Sequence, residues 1–181
     1  MRFLLATRDD LPAIVEIYND SVAERNATAD LAPASVESRL AWFDAHKDRR
    51  PIYVLKGDIS RLNFSARQGA DDEISAQNEQ ILAWGSLSNY KDRAAYDITA
   101  EISIYVRKSA RGRGLGRMTA EYLIRIAPSL GIKNILAVIF TDNAASIGMF
   151  EKLGFARWGT LPQVCNMGAQ LKSVEILGKK V

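Results

Sequence analysis

The sequence is poor in residues that cross-link a chain or carry it into a membrane. Its 181 residues include one cysteine and one histidine, so an internal disulfide cannot form, and the chain fits a reducing compartment. The first apolar run is too short for a secretory signal, because Arg8 follows it at once. No stretch approaches the roughly 20 apolar residues of a membrane span. We therefore expect a cytoplasmic protein without a membrane partner.

The chain also lacks a block of one charge. It carries 24 Lys and Arg against 21 Asp and Glu, for a formal net charge of +3. These residues are spread along the chain, whereas nucleic-acid binding requires a clustered basic face. With 48% hydrophobic residues, positions 1–181 suffice for one well-packed domain. We expect a single domain with no nucleic-acid partner and no metal.

Hydrophobic periodicity predicts strands at 3–6, 52–55, 81–87, 98–106, 135–140, 155–159 and 174–177. Helices are predicted after the capping residues Asp9 or Asp10, Ser35 and Asn143, and from Leu115. Gly85 is predicted to mark a β-bulge, and the polar segment 57–80 to be a flexible excursion between two hairpin strands. The strand-helix-strand order of the second half requires a parallel pair within an otherwise antiparallel sheet. The fold class is therefore mixed α/β, with helices flanking a mostly antiparallel sheet.

The strongest motif is a glycine-rich turn between a predicted strand and a predicted helix, Arg111-Gly112-Arg113-Gly114-Leu115-Gly116. Glycines let the backbone approach an anion closely, and the first amides of a helix have no acceptor within the helix. The turn therefore predicts a ligand with a pyrophosphate group. It does not meet the dinucleotide fingerprint, which needs Gly-x-Gly-x-x-Gly, or the P-loop, which needs Lys-Ser/Thr after its last glycine.

A second motif strengthens this prediction. The run that begins at Asn143 reads Asn-x-x-Ser-x-x-x-Phe-Glu-Lys-Leu-Gly-Phe and follows the predicted strand 135–140. Together, the two motifs resemble those of the GNAT superfamily of N-acetyltransferases. The segment 95–106 and the run Gly159-Thr160-Leu161 are most similar to the branch that contains the phosphinothricin acetyltransferases. The resemblance implies the acyl-CoA N-acyltransferase fold, in which the parallel strand pair is splayed, and it implies a homodimer.

The resemblance also implies acetyl-CoA as the co-substrate. It places the pyrophosphate on backbone amides of the glycine turn and the pantetheine arm along the strand before it, with Asn143 beside the arm. A plain helix cap is an equally good interpretation of Asn143, and a solvated helix residue is the alternative for Lys152, which would reach the 3′-phosphate. The candidate cofactor-binding residues are Ile104, Tyr105, Val106, Arg111, Gly112, Arg113, Gly114, Leu115, Gly116, Arg117, Asn143 and Lys152.

Acetyl transfer to an amine needs a base and a donor to the tetrahedral oxyanion. By resemblance, Glu101 is the candidate base and an amide at Val106 the candidate oxyanion donor. Tyr96 and Tyr105 are the candidate residues for binding the amine, with a half-buried core tyrosine as the alternative for Tyr105. Phe150 stands where many superfamily members have a tyrosine, and it cannot protonate the departing thiolate.

Three further residues are given structural interpretations. His46 lies in the charged run 46–50 and is predicted to be exposed. Cys165 is interpreted as a small structural thiol, because the single histidine is far away in the sequence. Trp84 is predicted to belong to the core or to a pocket wall.

We expect an acetyl-CoA-dependent N-acetyltransferase that acts on a small amine, such as an amino acid or an analogue. Three alternatives stay open at this point. The chain could acetylate protein N-termini or lysines, or it could bind acyl-CoA without turnover, which the phenylalanine at position 150 would suit. Dinucleotide binding is the fourth and least favoured interpretation.

Overall fold

The computed structural model describes residues 1–46, 49–60 and 79–181. Its helices and strands, in chain order, are β1 (Arg2–Leu5), α1 (Leu11–Glu24), α2 (Val36–Ala45), β2 (Ile52–Gly57), β3 (Gln80–Asn89), β4 (Thr99–Val106), α3 (Leu115–Ile126), β5 (Asn134–Phe140), α4 (Ala144–Lys152), β6 (Ala156–Asn166) and β7 (Leu171–Lys180). None of the helices in these ranges has the length and apolar content that crossing a membrane requires.

The strands form one seven-stranded sheet in the order β1-β2-β3-β4-β5-β7-β6. Every neighbouring pair is antiparallel except β4 and β5, which are parallel. This parallel pairing extends only from Thr99 to Glu101 on β4, opposite Asn134 to Leu136 on β5. Beyond these residues the two strands diverge. The predicted mixed fold, with a splayed parallel pair, is confirmed.

Helices cover both faces of the sheet. On one face α3 and α4 pack on alternate residues of β4, including Ala100 and Ile102, around the fully buried Leu123. On the other face α1 and α2 pack around Ile17 and Trp84. The period-2 alternation of β4 sends Glu101, Ser103 and Tyr105 to the α1 and α2 face, as the sequence pattern predicts.

The predicted hairpin between β2 and β3 is confirmed, and Gly57 pairs with Gln80 at the end next to the connecting segment. The ends of the predicted excursion 57–80 therefore belong to strands. Its predicted flexibility concerns residues 61–78, which lie outside the described residues.

The predicted bulge is in a different place. The register moves from Leu55 opposite Ala83 to Lys56 opposite Ile81, so Leu82 is the extra residue, while Gly85 pairs regularly with Tyr53. Gly85 serves close packing instead. A Cβ atom there would lie 2.8 Å from Leu123 Cδ1 and 2.9 Å from the Ser103 carbonyl oxygen, because α3 lies directly on the strand.

Side-chain caps are found at two of the three predicted positions. Ser35 Oγ accepts a hydrogen bond from the Ser38 amide, and Asn143 Oδ1 accepts one from the Ser146 amide, each at 3.1 Å. Asp10 precedes α1 but does not cap it with its side chain. Its carboxylate accepts the Thr7 amide at 2.9 Å and forms a 2.6 Å ion pair with Lys56.

The close approach of α3 to β3 predicts a loss of stability on substitution. Gly85→Ala should lower the free energy of unfolding by about 1–3 kcal/mol, since the added methyl group overpacks a filled interface. Gly148→Ala is the matched control, because no described atom lies within 4 Å of its Cβ position within α4. Gly148→Ala should raise the free energy of unfolding by about 0.5–1 kcal/mol, because alanine favours a helix more than glycine does. Urea unfolding of both variants checks this, and equal stability of Gly85→Ala and the wild type would refute the packing argument.

Candidate active site

A groove opens where β4 and β5 diverge. It encloses about 350 Å³, with Ile104 and Val106 on the β4 side and Val138 and Phe140 on the β5 side. Glu101 lies at the closed end, where the strand pairing stops. We call this space the strand groove.

The backbone of β4 turns hydrogen-bonding groups toward the strand groove. The Arg107 amide donates to Leu82 O on β3 at 2.9 Å. Since the groups of an antiparallel strand alternate in direction, Tyr105 also faces β3, whereas the N–H and C=O groups of Ile104 and Val106 face the groove. Arg111 Nε donates to Val106 O at 3.0 Å, in agreement with this direction.

The glycine turn forms the mouth of the groove. A cavity of about 470 Å³, the loop cavity, is lined by the turn and shares Ile104, Val106 and Asn143 with the strand groove. Gly112 and Gly114 have φ values of +75° and +76°, and no described atom outside the adjoining residues lies within 4 Å of either Cβ position. The turn thus requires glycine for its backbone and leaves open space beside it. The first backbone amides of α3, which follow Gly114, have no hydrogen-bond acceptor within the helix.

The arginines of the turn differ in their contacts. Arg111 Nη1 donates to both carboxylate oxygens of Glu24 at 2.6 Å. The carboxylate balances the charge of Arg111, and the ion pair connects the turn to α1. Arg117 forms an exposed ion pair with Glu121, one helical turn further along α3. Arg113 is exposed.

A covering segment, residues 25–35, connects α1 to α2 and crosses the groove. Asn143 Nδ2 donates to Asn26 O at 3.0 Å. The buried Lys172 Nζ donates to Arg25 O at 2.7 Å and to Asp142 at 2.8 Å. Asn143 therefore caps α4 and holds the covering segment with the two ends of one amide.

A third cavity lies on the α1 and α2 face and encloses about 130 Å³. Three serine hydroxyl groups line it, so we call it the serine cavity, and its aromatic wall includes Trp84. It shares Ser103 and Tyr105 with the strand groove, so the two spaces meet at these residues. The serines are Ser86, Ser88 and Ser103.

Two hydrogen-bond donors on residues that line the serine cavity differ in whether they have a partner. Arg39 forms a 2.5 Å ion pair with Asp30, and its guanidinium lies 4.6 Å from the centre of the Tyr18 ring. The indole Nε1 of Trp84 is buried without a hydrogen-bond partner among the described residues. Leaving such a donor unsatisfied costs about 1–3 kcal/mol.

Burial sets the ionisation of the site. It raises the pKa of the Glu101 carboxyl above its ordinary value, and no neighbouring cation offsets the effect among the described residues. Burial also raises the pKa of the Tyr105 hydroxyl, so this group stays protonated at neutral pH. Within the described ranges, no group of three or more His, Cys, Asp and Glu side chains is placed to hold a metal ion.

The structure brings most of the predicted site residues together, with three exceptions. The exposed Arg113 lines none of the three cavities described above. Tyr96 lies in the turn before β4, is 43% exposed and contacts the Tyr90 ring, away from the three cavities described above. Lys152 is exposed at the end of α4 and lines neither the strand groove nor the loop cavity. Phe150 is buried at the groove, with its ring 4.9 Å from that of Phe155.

One of the structural interpretations, that of His46, also changes. His46 is not simply exposed: it is partly buried, and its ring bonds to Trp42 O and Ser88 Oγ. Cys165 packs beside Phe140 and lines the strand groove. The serine cavity was not predicted from the sequence, although one signal for it exists. Ser86 and Ser88 alternate with apolar residues in a strand that is otherwise apolar and buried.

A mixed sheet that splits at one parallel pair, with a glycine turn leading into a helix at the mouth of the split, is the architecture of the GNAT acetyltransferases. The family model described as the acetyltransferase (GNAT) family matches residues 31–155, and the chain belongs to this family of N-acetyltransferases.

Relatives span nearly the whole chain. It is 39% identical over 181 residues to YwnH of Bacillus subtilis, covering 100% of this chain and 99% of the relative, whose name assigns it provisionally to the phosphinothricin acetyltransferases. It is 34% identical to the L-methionine sulfoximine/L-methionine sulfone acetyltransferase of Pseudomonas paraeruginosa, covering 86% and 80% of the two chains. Among solved structures, the chain is similar to that of yncA from Salmonella typhimurium, which is provisionally named an acetyltransferase and was solved with its cofactor acetyl-CoA. The two are 26% identical, the match covers 99% of this chain and 93% of the other, and the TM-score is 0.81.

The different contacts of the two arginines predict different effects on stability. Arg111→Ala should lower the free energy of unfolding by about 1–2 kcal/mol, because Glu24 and the Val106 carbonyl group lose a partly buried charged donor. Arg117→Ala removes only an exposed ion pair and should change the free energy of unfolding by less than about 0.5 kcal/mol. Urea unfolding of both variants measures the difference. Equal effects would show that Arg111 does not hold the turn.

Proposed function

We propose that this protein transfers an acetyl group directly from acetyl-CoA to the amine of a small molecule, an amino acid or an analogue. The observation that carries the proposal is the junction of the strand groove with the serine cavity at Ser103 and Tyr105. A thioester in one space and an amine in the other would meet at this point.

The loop cavity and the strand groove suit the two ends of CoA. The free amides after Gly114 and the open space beside Gly112 would hold the pyrophosphate. The groups of Ile104 and Val106 that face the groove would bond to the amides of the pantetheine arm, with Asn143 beside it. In this arrangement the Val106 amide would hold the arm and not the oxyanion of the tetrahedral intermediate, because it lies three residues, about 10 Å, from Ser103 along β4.

The serine cavity suits a small acceptor with an anionic group. Its volume of about 130 Å³ is smaller than a peptide groove requires. The Arg39 guanidinium is a donor that a carboxylate could accept from. The similarity to an acetyltransferase of L-methionine sulfoximine and L-methionine sulfone supports the same class of acceptor.

The reaction requires the nitrogen to lose two protons, one from the ammonium ion and one after attack on the thioester. Glu101 would take the first, because its carboxylate lies where the groove approaches the serine cavity. Phe150 offers no phenol, so the departing thiolate would take its proton from water. Acid catalysis contributes roughly 100-fold to 10,000-fold where an enzyme has it, so its absence slows this step without preventing it.

A panel of acceptors tests the function. The purified protein should release CoA thiol with acetyl-CoA and L-methionine sulfone or other free amino acids, and much more slowly with peptides that carry free N-termini or lysines. Faster reaction with the peptides would favour a protein acetyltransferase. Binding of CoA without thiol release for any amine would favour a binding module and refute the proposal.

The raised pKa of Glu101 predicts an acidic limb in the rate profile. The carboxylate is active, so kcat/KM should fall as the pH decreases through a pKa above the ordinary carboxyl range. Glu101→Gln should lower kcat by roughly 100-fold or more and remove this limb, while the KM for acetyl-CoA stays within about twofold. Initial rates between pH 5 and pH 8 measure both effects, and a variant with the wild-type rate and profile would exclude Glu101 as the base.

A further inference from the structure

The single histidine of the chain lies between the end of α2 and the serine cavity. His46 Nδ1 is 2.8 Å from Trp42 O, and His46 Nε2 is 3.1 Å from Ser88 Oγ. Its ring also packs on the Trp42 indole, at 4.7 Å between ring centres. Both ring nitrogens thus have a hydrogen-bond partner, one on α2 and one on β3.

These two contacts determine where the imidazole proton lies. A carbonyl oxygen can only accept, so Nδ1 must carry the hydrogen that Trp42 O receives. In the neutral ring Nε2 then has a free electron pair, and the Ser88 hydroxyl group donates to it. Burial lowers the pKa of His46, which keeps the ring neutral at neutral pH. The remaining electron pairs of Ser88 Oγ are available to the serine cavity that this residue lines.

Ser88 is also close to the site of reaction. It pairs directly with Glu101 across β3 and β4, so the two side chains are on the same face of the sheet. Ser103, at the junction with the strand groove, is the next residue of β4 on that face. A nitrogen held at this junction would have the carboxylate and the Ser88 hydroxyl group beside it.

We infer that Ser88 and His46 form a proton relay that accepts the second proton of the acceptor nitrogen. As the tetrahedral intermediate collapses, its N–H proton moves to Ser88 Oγ and the Ser88 proton moves to His46 Nε2. The C–S bond breaks, the amide forms, and the thiolate takes a proton from water. His46, now an imidazolium, and Glu101 each release a proton to solvent, where one of the two neutralises the hydroxide that the thiolate leaves. One ammonium ion and one thioester therefore yield one amide, one thiol and one proton.

This inference rests on the proposed acetylation of an amine. Ser88 is the group that touches the substrate, whereas His46 acts through it. The charged and titratable groups that line the same cavity are Arg39 of α2, Tyr18 of α1 and Tyr105 of β4, and Glu101 faces Ser88 from β4. Asp30 balances the charge of Arg39, so that cation opposes the formation of the imidazolium only weakly.

The tautomer can be measured without assignment, because His46 is the only histidine. In nitrogen-15 NMR of the wild type at pH 7.5, the ring should be neutral with its hydrogen on Nδ1. Ser88→Ala should shift the Nε2 resonance, since it removes that donor. A ring that is protonated at pH 7.5, or one with its hydrogen on Nε2, would overturn the relay whatever the substrate is.

Kinetics with acetyl-CoA and L-methionine sulfone test the function of the pair. His46→Gln keeps an acceptor but no base, and it should lower kcat by about 10-fold to 100-fold. The acidic limb at the pKa of His46 measured by NMR should disappear, while the KM for acetyl-CoA stays unchanged. Ser88→Ala should have the same effect, and Ser88→Thr, which retains a hydroxyl group, should restore most of the rate.

The outcomes separate this inference from the proposed function. If the wild type acetylates no amine, the proposed function fails, and the NMR result alone decides whether the pair has the inferred protonation. If the wild type is active and His46→Gln and Ser88→Ala keep its rate and pH profile, the relay is wrong and the function stands. If His46→Gln does not fold, the Ser88→Ala and Ser88→Thr pair decides the question.

Discussion

The short parallel pairing of β4 with β5 is the constraint on which the rest of the site depends. Pairing stops after Glu101 on β4, and beyond it the groups of Ile104 and Val106 face a groove rather than a strand. Paired strands lie about 4.8 Å apart, so continued pairing would fill this space with the sheet's own hydrogen bonds. The fold thus leaves backbone donors and acceptors free for a ligand, and it places the Glu101 carboxyl group at the point where the two strands diverge.

The split costs little in the remainder of the sheet, because each diverging strand is paired along its other edge. β4 pairs with β3 from Ala100 to Val106, and β5 pairs with β7 along its whole length. α4 begins immediately beyond β5, and its cap residue Asn143 holds the covering segment over the opening. The strands can therefore diverge without loss of register, and the segment between α1 and α2 closes the groove from the far side.

Features that depend on neighbouring residues could be predicted from the sequence, and features that depend on distant contacts could not. The glycine turn needs positive φ within a few residues, and the cap of Asn143 reaches only Ser146, so both are visible locally. His46 meets Ser88, 42 positions away, and its position in a charged run gave the opposite prediction. Gly85 was interpreted as a bulge because nothing nearby indicates that α3 would lie on it. The alternation of Ser86 and Ser88 is a local signal for a polar lining, but the aromatic wall of the serine cavity and the distance of Tyr96 from it depend on residues far apart in the sequence.

In the proposed function, the two halves of the site use different parts of the chain for recognition. The donor half is built from backbone groups of β4 and the glycine turn, which many side chains would support equally well. The acceptor half is built from side chains that four elements bring together, among them Arg39 on α2 and Trp84 on β3. If the serine cavity binds the acceptor as proposed, a substitution in it would change which amine is accepted without disturbing the groove. Only the junction residues Ser103 and Tyr105 belong to both halves, so a change of acceptor is constrained most strongly there.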